Sequence, residues 1–160
     1  MRAVAEELLA RTRALDLDGM RALFARDVVF WSNVGQVESG LDQRMAFMAL
    51  EKEVFDALEI DDVHIDCFDG GFVQQCVFAG AVNGGATVRV PTCLVVRVAE
   101  GQVTRFDEYV SMDHIQPVVE AIAAHLAAQR STVMVVQARD CVVAARAKSL
   151  SRSGESPVKR

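Results

Sequence analysis

The chain has four cysteines, and they are scattered. Cys67, Cys76, Cys93 and Cys141 form no Cys-x-x-Cys pair and stand beside no histidine at metal-ligand spacing. That pattern excludes a zinc ribbon or a redox dithiol and leaves buried, reduced thiols as the expectation. His64, His114 and His125 show no His-x-x-x-His or related spacing, so no metal site is predicted. A cationic stripe is missing too. With 17 Lys and Arg against 22 Asp and Glu, both signs dispersed, there is no surface of the kind that phosphate backbones need. Nucleic acid is thereby set aside as a partner. No apolar run reaches the length of a signal peptide or a membrane span, and Met1 is followed at once by Arg2 and an Ala/Leu/Glu helical pattern. The expectation is a soluble, cytoplasmic protein with no membrane contact.

What the chain does have is enough apolar material for one ordinary core: 160 residues, 51% of them hydrophobic. Val4, Leu8 and Leu9 space a short amphipathic helix over 3–13, which Leu15-Asp16-Leu17-Asp18-Gly19 breaks. A second short helix is predicted over 20–25. Val28-Val29-Phe30-Trp31 is β-branched and aromatic, hence a strand, and 33–40 is a loop with two glycines. From Leu41 to Leu58 helical spacing returns, with Met45, Met48 and Phe55 on one stripe and Phe47, Leu50, Val54 and Leu58 on the next.

Strands follow at about 60–68, 72–82, 86–99 and 102–112, separated by Gly70-Gly71, Asn83-Gly84-Gly85 and Glu100-Gly101. These are hairpin turns, because glycine and asparagine accept positive φ at little cost, so consecutive strands should pair antiparallel. Asp113 is placed to cap a last helix to about Arg130, with Gln116 in the capping-box position. Helices, one strand, a helix and then a run of strands make an α+β layout. Residues 1–130 are read as one domain, 131–148 as a C-terminal extension of either helix or strand, and 149–160 as a flexible tail.

The strand after Gly101 carries the residue most in need of explanation. Alternation puts Thr104, Phe106, Glu108, Val110 and Met112 on one side and Val103, Arg105, Asp107, Tyr109 and Ser111 on the other. A carboxylate among Phe, Val and Met either finds donors or holds its proton more tightly, which suits acid/base work. The bland alternative is a Glu facing solvent at a sheet edge.

This order of elements, with Asp16-Leu17-Asp18-Gly19-Met20-Arg21-Ala22-Leu23-Phe24-Ala25 and Gly101-Gln102-Val103-Thr104-Arg105-Phe106-Asp107-Glu108-Tyr109, resembles the nuclear transport factor 2-like superfamily over roughly residues 1–128. SnoaL-like polyketide cyclases, ketosteroid isomerase, scytalone dehydratase and limonene epoxide hydrolase belong to it. The resemblance implies a curved antiparallel sheet wrapped by about four helices into a cone with an apolar pocket. It also implies a homodimer through the sheet face that carries Arg105, Asp107 and Tyr109.

The catalytic patterns of these relatives are only partly kept. The Tyr-x-Asn of limonene epoxide hydrolase corresponds to Trp31-Ser32-Asn33, and its carboxylate before a Tyr to Glu108-Tyr109. Its Arg-x-Asp, however, falls on Cys76-Val77-Phe78, which makes that mechanism improbable. The proton-shuttling Asp of ketosteroid isomerase falls near Ser32.

On this footing Glu108 is the candidate acid/base, Asn33 an orienting hydrogen-bond donor and Trp31 an apolar wall beside them. Asp113 with His114 forms a second catalytic pair if the last helix sits over the pocket mouth; an ordinary helix cap is the plain alternative. Pro91 and Cys93 on one strand, and Gln74, Cys76 and Phe78 on its neighbour, are expected to build one cavity wall together with Phe106, Val110 and Met112. His64, flanked by Asp62 and Asp66, is expected to face solvent. The function these residues suggest is cofactor-free acid/base chemistry on a hydrophobic small molecule, as an isomerase, cyclase, dehydratase or hydrolase. The alternative is a non-catalytic module of the same fold that binds an apolar ligand or dimerises.

Overall fold

The N-terminal apolar spacing becomes α1 (Arg2–Arg13), which buries Ala5 and Leu8. Leu15 takes a φ of 49° and ends the run. Asp16 then starts α2 (Leu17–Leu23) rather than a loop, its carboxylate accepting from the Gly19 N–H at 3.0 Å. The elements that follow are β1 (Phe24–Ser32), the two-residue β2 (Glu38–Ser39), α3 (Leu41–Val54), β3 (Phe55–Phe68), β4 (Gly71–Val82), β5 (Ala86–Ala99) and β6 (Gln102–Val110). Residues 112–122 are helical and are called α4.

This computed structural model describes residues 1–82 and 85–130. Met1–Ile122 form one compact unit; a second unit, Ala123–Arg160, is described over 123–130, which are helical. The extension expected at 131–148, the tail at 149–160 and Cys141 lie outside the described residues. Among the described residues no helix is long and apolar enough to cross a membrane.

The strands form one curved, unclosed sheet in the order β2-β1-β6-β5-β4-β3, the α+β class expected. Every pairing is antiparallel except that of β1 with β6. Glu100 and Gly101, with φ of 52° and 79°, make the tight turn joining β5 to β6. Phe24, Phe30 and Phe106 pack edge-on and tilted, with centroids 4.9–6.4 Å apart, in a core that also holds Phe72, Val96 and Val103.

Three local expectations are corrected. The helix predicted over 41–58 stops at Val54, because Phe55 turns extended (ψ 121°). A register shift between Phe55 and Ala57 then lets both Phe55 and Leu58 point inward from a strand, which mimics helical spacing. On β6, Val103 is fully buried instead of facing outward. The pairing passes from Arg97↔Arg105 to Val98↔Val103, so Thr104 is an extra residue and the alternation changes phase there. Finally, the last helix begins one residue before Asp113: the Ser111 carbonyl accepts from the His114 and Ile115 N–H groups, and Gln116 bonds to Glu120.

Candidate active site

Inside the first unit, a cavity of about 100 Å³ lies between the inward face of the sheet and α1 to α4. Most of its wall is apolar: Leu8, Leu17 and Met20 from the first two helices, Met48 from α3, and Phe55 and Leu58 from β3. Phe78, Val90, Leu94, Phe106 and Val110 come from the sheet, and Ile115 and Val118 from α4. Against this wall stand three charged side chains, Arg44 and Glu51 from α3 and Glu108 from β6. Thr12, Gln74 and Thr92 add three uncharged polar groups.

Arg44 lies between the two carboxylates. Its Nη2 is 3.7 Å from Glu51 Oε2 and 3.9 Å from Glu108 Oε1, and the side chains of Arg44, Glu51 and Glu108 are 16%, 24% and 17% exposed. These separations hold the charges together but exceed hydrogen-bond length, so both carboxylates keep lone pairs for another donor. The guanidinium also lies 5.4 Å from the centre of the Phe47 ring.

Burial pushes the Glu51 carboxyl above its ordinary value, and the nearby Glu108 charge pushes it the same way while Arg44 pulls it back. For Arg44, burial works against the charge, but Glu51 and Glu108 outweigh it and keep the guanidinium protonated. The site thus pairs a fixed cation with two carboxyl groups, one of which holds its proton past the usual carboxylate range. Such a set can accept a proton, return one and stabilise a developing negative charge.

Glu108, Gln74, Phe78, Phe106 and Val110, all expected at the site, line this cavity. Trp31 does not. In the parallel β1–β6 pairing Trp31 stands opposite Asp107, and Ser32 opposite Glu108, so Trp31 belongs to the outer face, where its ring meets Tyr109 at 5.3 Å. Asn33 is spent on backbone: Nδ2 donates to the Val110 carbonyl and Oδ1 accepts from the Val110 N–H, both at 2.9 Å. It extends the β1–β6 pairing by one side chain and is not among the cavity residues.

Pro91 and Cys93 do not share a wall with Gln74, and Cys76 is not among the cavity residues but borders the same depression as Pro91 and Cys93. The register sets Cys93 opposite Gln75 and Pro91 opposite Val77, which turns both to the outer face; Val90, Thr92 and Leu94 take the cavity side. Pro91 and Cys93 border a separate shallow depression with Tyr109 and Ser111. Cys76 is buried, and that burial pushes its thiol up, so it stays protonated and unreactive at neutral pH. Cys67, expected to be buried, is exposed on β3, and Cys93 is half-buried. Met112, Asp113 and His114 are exposed in the first turn of α4, and His64 is exposed as expected.

Arg44, Glu51, Thr12 and Thr92 are the polar cavity residues that the sequence reading missed, along with most of the apolar wall. Arg44 and Glu51 sit seven residues apart with Met48 between them, so all three share one helix face. A charged pair bracketing a buried methionine is the signal that could have located them. Among the described residues no group of three or more His, Cys, Asp or Glu is placed to hold a metal ion.

The sequence model of the SnoaL-like domain matches residues 5–106, more than half of the chain. No curated protein matches the chain. Solved structures match in fold. A protein with a ketosteroid isomerase-like fold from Catenulispora acidiphila, in complex with trimethylamine, is 15% identical (TM-score 0.62), with 70% of this chain and 88% of that one covered. PrhC from Penicillium brasilianum is 12% identical (TM-score 0.67; 79% and 89% covered). An LEH-like epoxide hydrolase from M. tuberculosis is 20% identical (TM-score 0.60; 78% and 93% covered). Identities this low carry the architecture and nothing about the reaction.

Proposed function

We propose, since the chain belongs to the SnoaL-like domain family, that its cavity takes up a small, largely apolar molecule and moves a proton on it without a cofactor. The observation that supports this most is the placing of Arg44, Glu51 and Glu108 together on an otherwise apolar wall. Glu108 accepts a proton from a C–H or O–H acidified by a neighbouring carbonyl. The electron pair freed by that transfer moves onto the carbonyl oxygen, where the Arg44 guanidinium stabilises it. Return of the proton at another atom gives an isomer, loss of a β leaving group gives elimination, and attack of the enolate carbon on a second carbonyl of the same molecule, whose oxygen takes up the proton from Glu108, gives ring closure. Isomerase, cyclase and dehydratase chemistry share that first step, and a cavity of about 100 Å³ limits the buried part of the substrate to a few heavy atoms.

A second reading has its own observation. Each carboxylate is within ion-pair distance of Arg44, as in a cluster that serves only to keep charges satisfied under a bound apolar ligand. Deuterium exchange separates the two. The protein is incubated in D₂O with a panel of small cyclic ketones and enones, and uptake of deuterium is followed by mass spectrometry for the wild type and Glu108→Gln. The catalytic reading expects uptake by at least one compound and a loss of about 100-fold or more in the variant. Equal uptake by both proteins contradicts the role of Glu108, and binding without exchange favours the second reading.

A further inference from the structure

Gln74 is 3% exposed, yet its Oε1 is buried with no hydrogen-bond partner among the described residues. Its Nε2 is directed to the Cys76 sulfur at 3.6 Å, a weak acceptor, and Gln74 is one of the residues that line the cavity. A buried, unmet acceptor costs about 1–3 kcal/mol relative to a paired one, so the position favours whatever supplies a donor.

The sheet register says where that donor would lie. Gln74 stands opposite Leu94 on β5, and Leu94 opposite Glu108 on β6, so the three form one row across the inward face. Gln74 and Glu108 are two strands apart, about 10 Å between backbones. Leu94 lies between them as the apolar floor. Thr92, on the same strand as Leu94, already donates its hydroxyl to the Val90 carbonyl at 3.1 Å and so offers no donor to Gln74. The cavity therefore has a charged side at Arg44, Glu51 and Glu108 and an unmet acceptor at Gln74, with β5 between them.

We infer that Gln74 is a specificity-determining residue that selects small apolar ligands carrying an N–H or O–H donor at the end remote from Glu108. This rests on the reading of the cavity as a ligand pocket, but not on Glu108 being catalytic. Pyrrole and furan test it, because they are five-membered rings of nearly equal size and only pyrrole has a donor. Binding is followed by NMR titration of the wild type, Gln74→Met and Glu108→Gln, with the Gln74 side-chain amide as a local probe.

The wild type is expected to bind pyrrole about five- to tenfold more tightly than furan, as one neutral hydrogen bond supplies, with the Gln74 amide signals shifting. Gln74→Met should lose that preference while still binding furan, and Glu108→Gln should keep it. Equal affinity for both rings, a preference for furan, or a preference that survives Gln74→Met and disappears in Glu108→Gln overturns the inference and leaves the pocket standing. If neither ring binds the wild type, the inference and the ligand-pocket reading fall together. If Gln74→Met does not fold, Glu108→Gln decides: a pyrrole preference kept there with the Gln74 amide signals shifting supports the inference, and its loss overturns it.

Discussion

Arg44 on α3 and Glu108 on β6 face each other at 3.9 Å inside a cavity whose walls are mostly aliphatic and aromatic. Sixty-four positions separate them in the chain, and the contact exists because α3 lies across the inward face of the sheet. Glu51, two helical turns beyond Arg44, completes the cluster at 3.7 Å.

Removing the cation should leave two carboxylates facing each other with no counter-charge. Arg44→Met is expected to cost about 2 kcal/mol at pH 8, less than the roughly 3–5 kcal/mol of a fully buried pair, because neither contact is a direct hydrogen bond. The deficit should shrink towards pH 5 as the Glu51 carboxyl, held above its ordinary value, takes up its proton. Urea unfolding at the two pH values measures it.

Glu51 gives the opposite pH signature. Its folded value is raised above the unfolded one of about 4.3, so its contribution to stability is complete below that value and is lost as pH rises through the raised folded one. Glu51→Gln, which cannot ionise, should therefore gain stability relative to the wild type between pH 4 and pH 8, by less than about 2 kcal/mol. Midpoints of denaturation across that range check the sign.

Asn33 should matter to the fold and not to the chemistry. Asn33→Ala removes both side-chain hydrogen bonds to Val110 and is expected to cost about 1–3 kcal/mol. Hydrogen exchange at the Val110 N–H should speed up in step with the lost stability, while the titration of Glu51 stays where it is.

Gly80 marks a close approach of β4 to β3. A Cβ there would run into the Ala57 carbonyl oxygen, which is backbone and cannot swing away. Gly80→Ala should destabilise by about 1–3 kcal/mol, read from thermal or urea unfolding.

Much of the sheet could be read from residues, since Gly70 and Glu100-Gly101 punctuate apolar runs whose turns demand positive φ. The inward position of Glu108 was legible for the same reason: Phe106 and Val110 share its phase, two residues away on either side. What lay beyond reach depended on contacts distant in sequence. The parallel pairing of β1 with β6 decides that Phe30 points in and Trp31 out, and no local pattern specifies that partner. The bulge at Thr104 changes the face of Val103 without any glycine or proline to announce it. Cys93 and Pro91 were assigned to the wrong face because alternation within a strand says which residues go together and not which set faces the helices. Arg44 and Glu51 were passed over because charges on a helix ordinarily face water, and only the cavity beside Met48 makes these two an exception.

The most direct test of the coupled cluster is the ¹³C NMR titration of the Glu51 side-chain carboxyl in the wild type and in Glu108→Gln. Glu51 should titrate above the ordinary carboxylate value in the wild type and move down when the Glu108 charge is removed. A Glu51 that titrates near 4.3 in both proteins, indifferent to its neighbour, would contradict the proton-handling role assigned to this site.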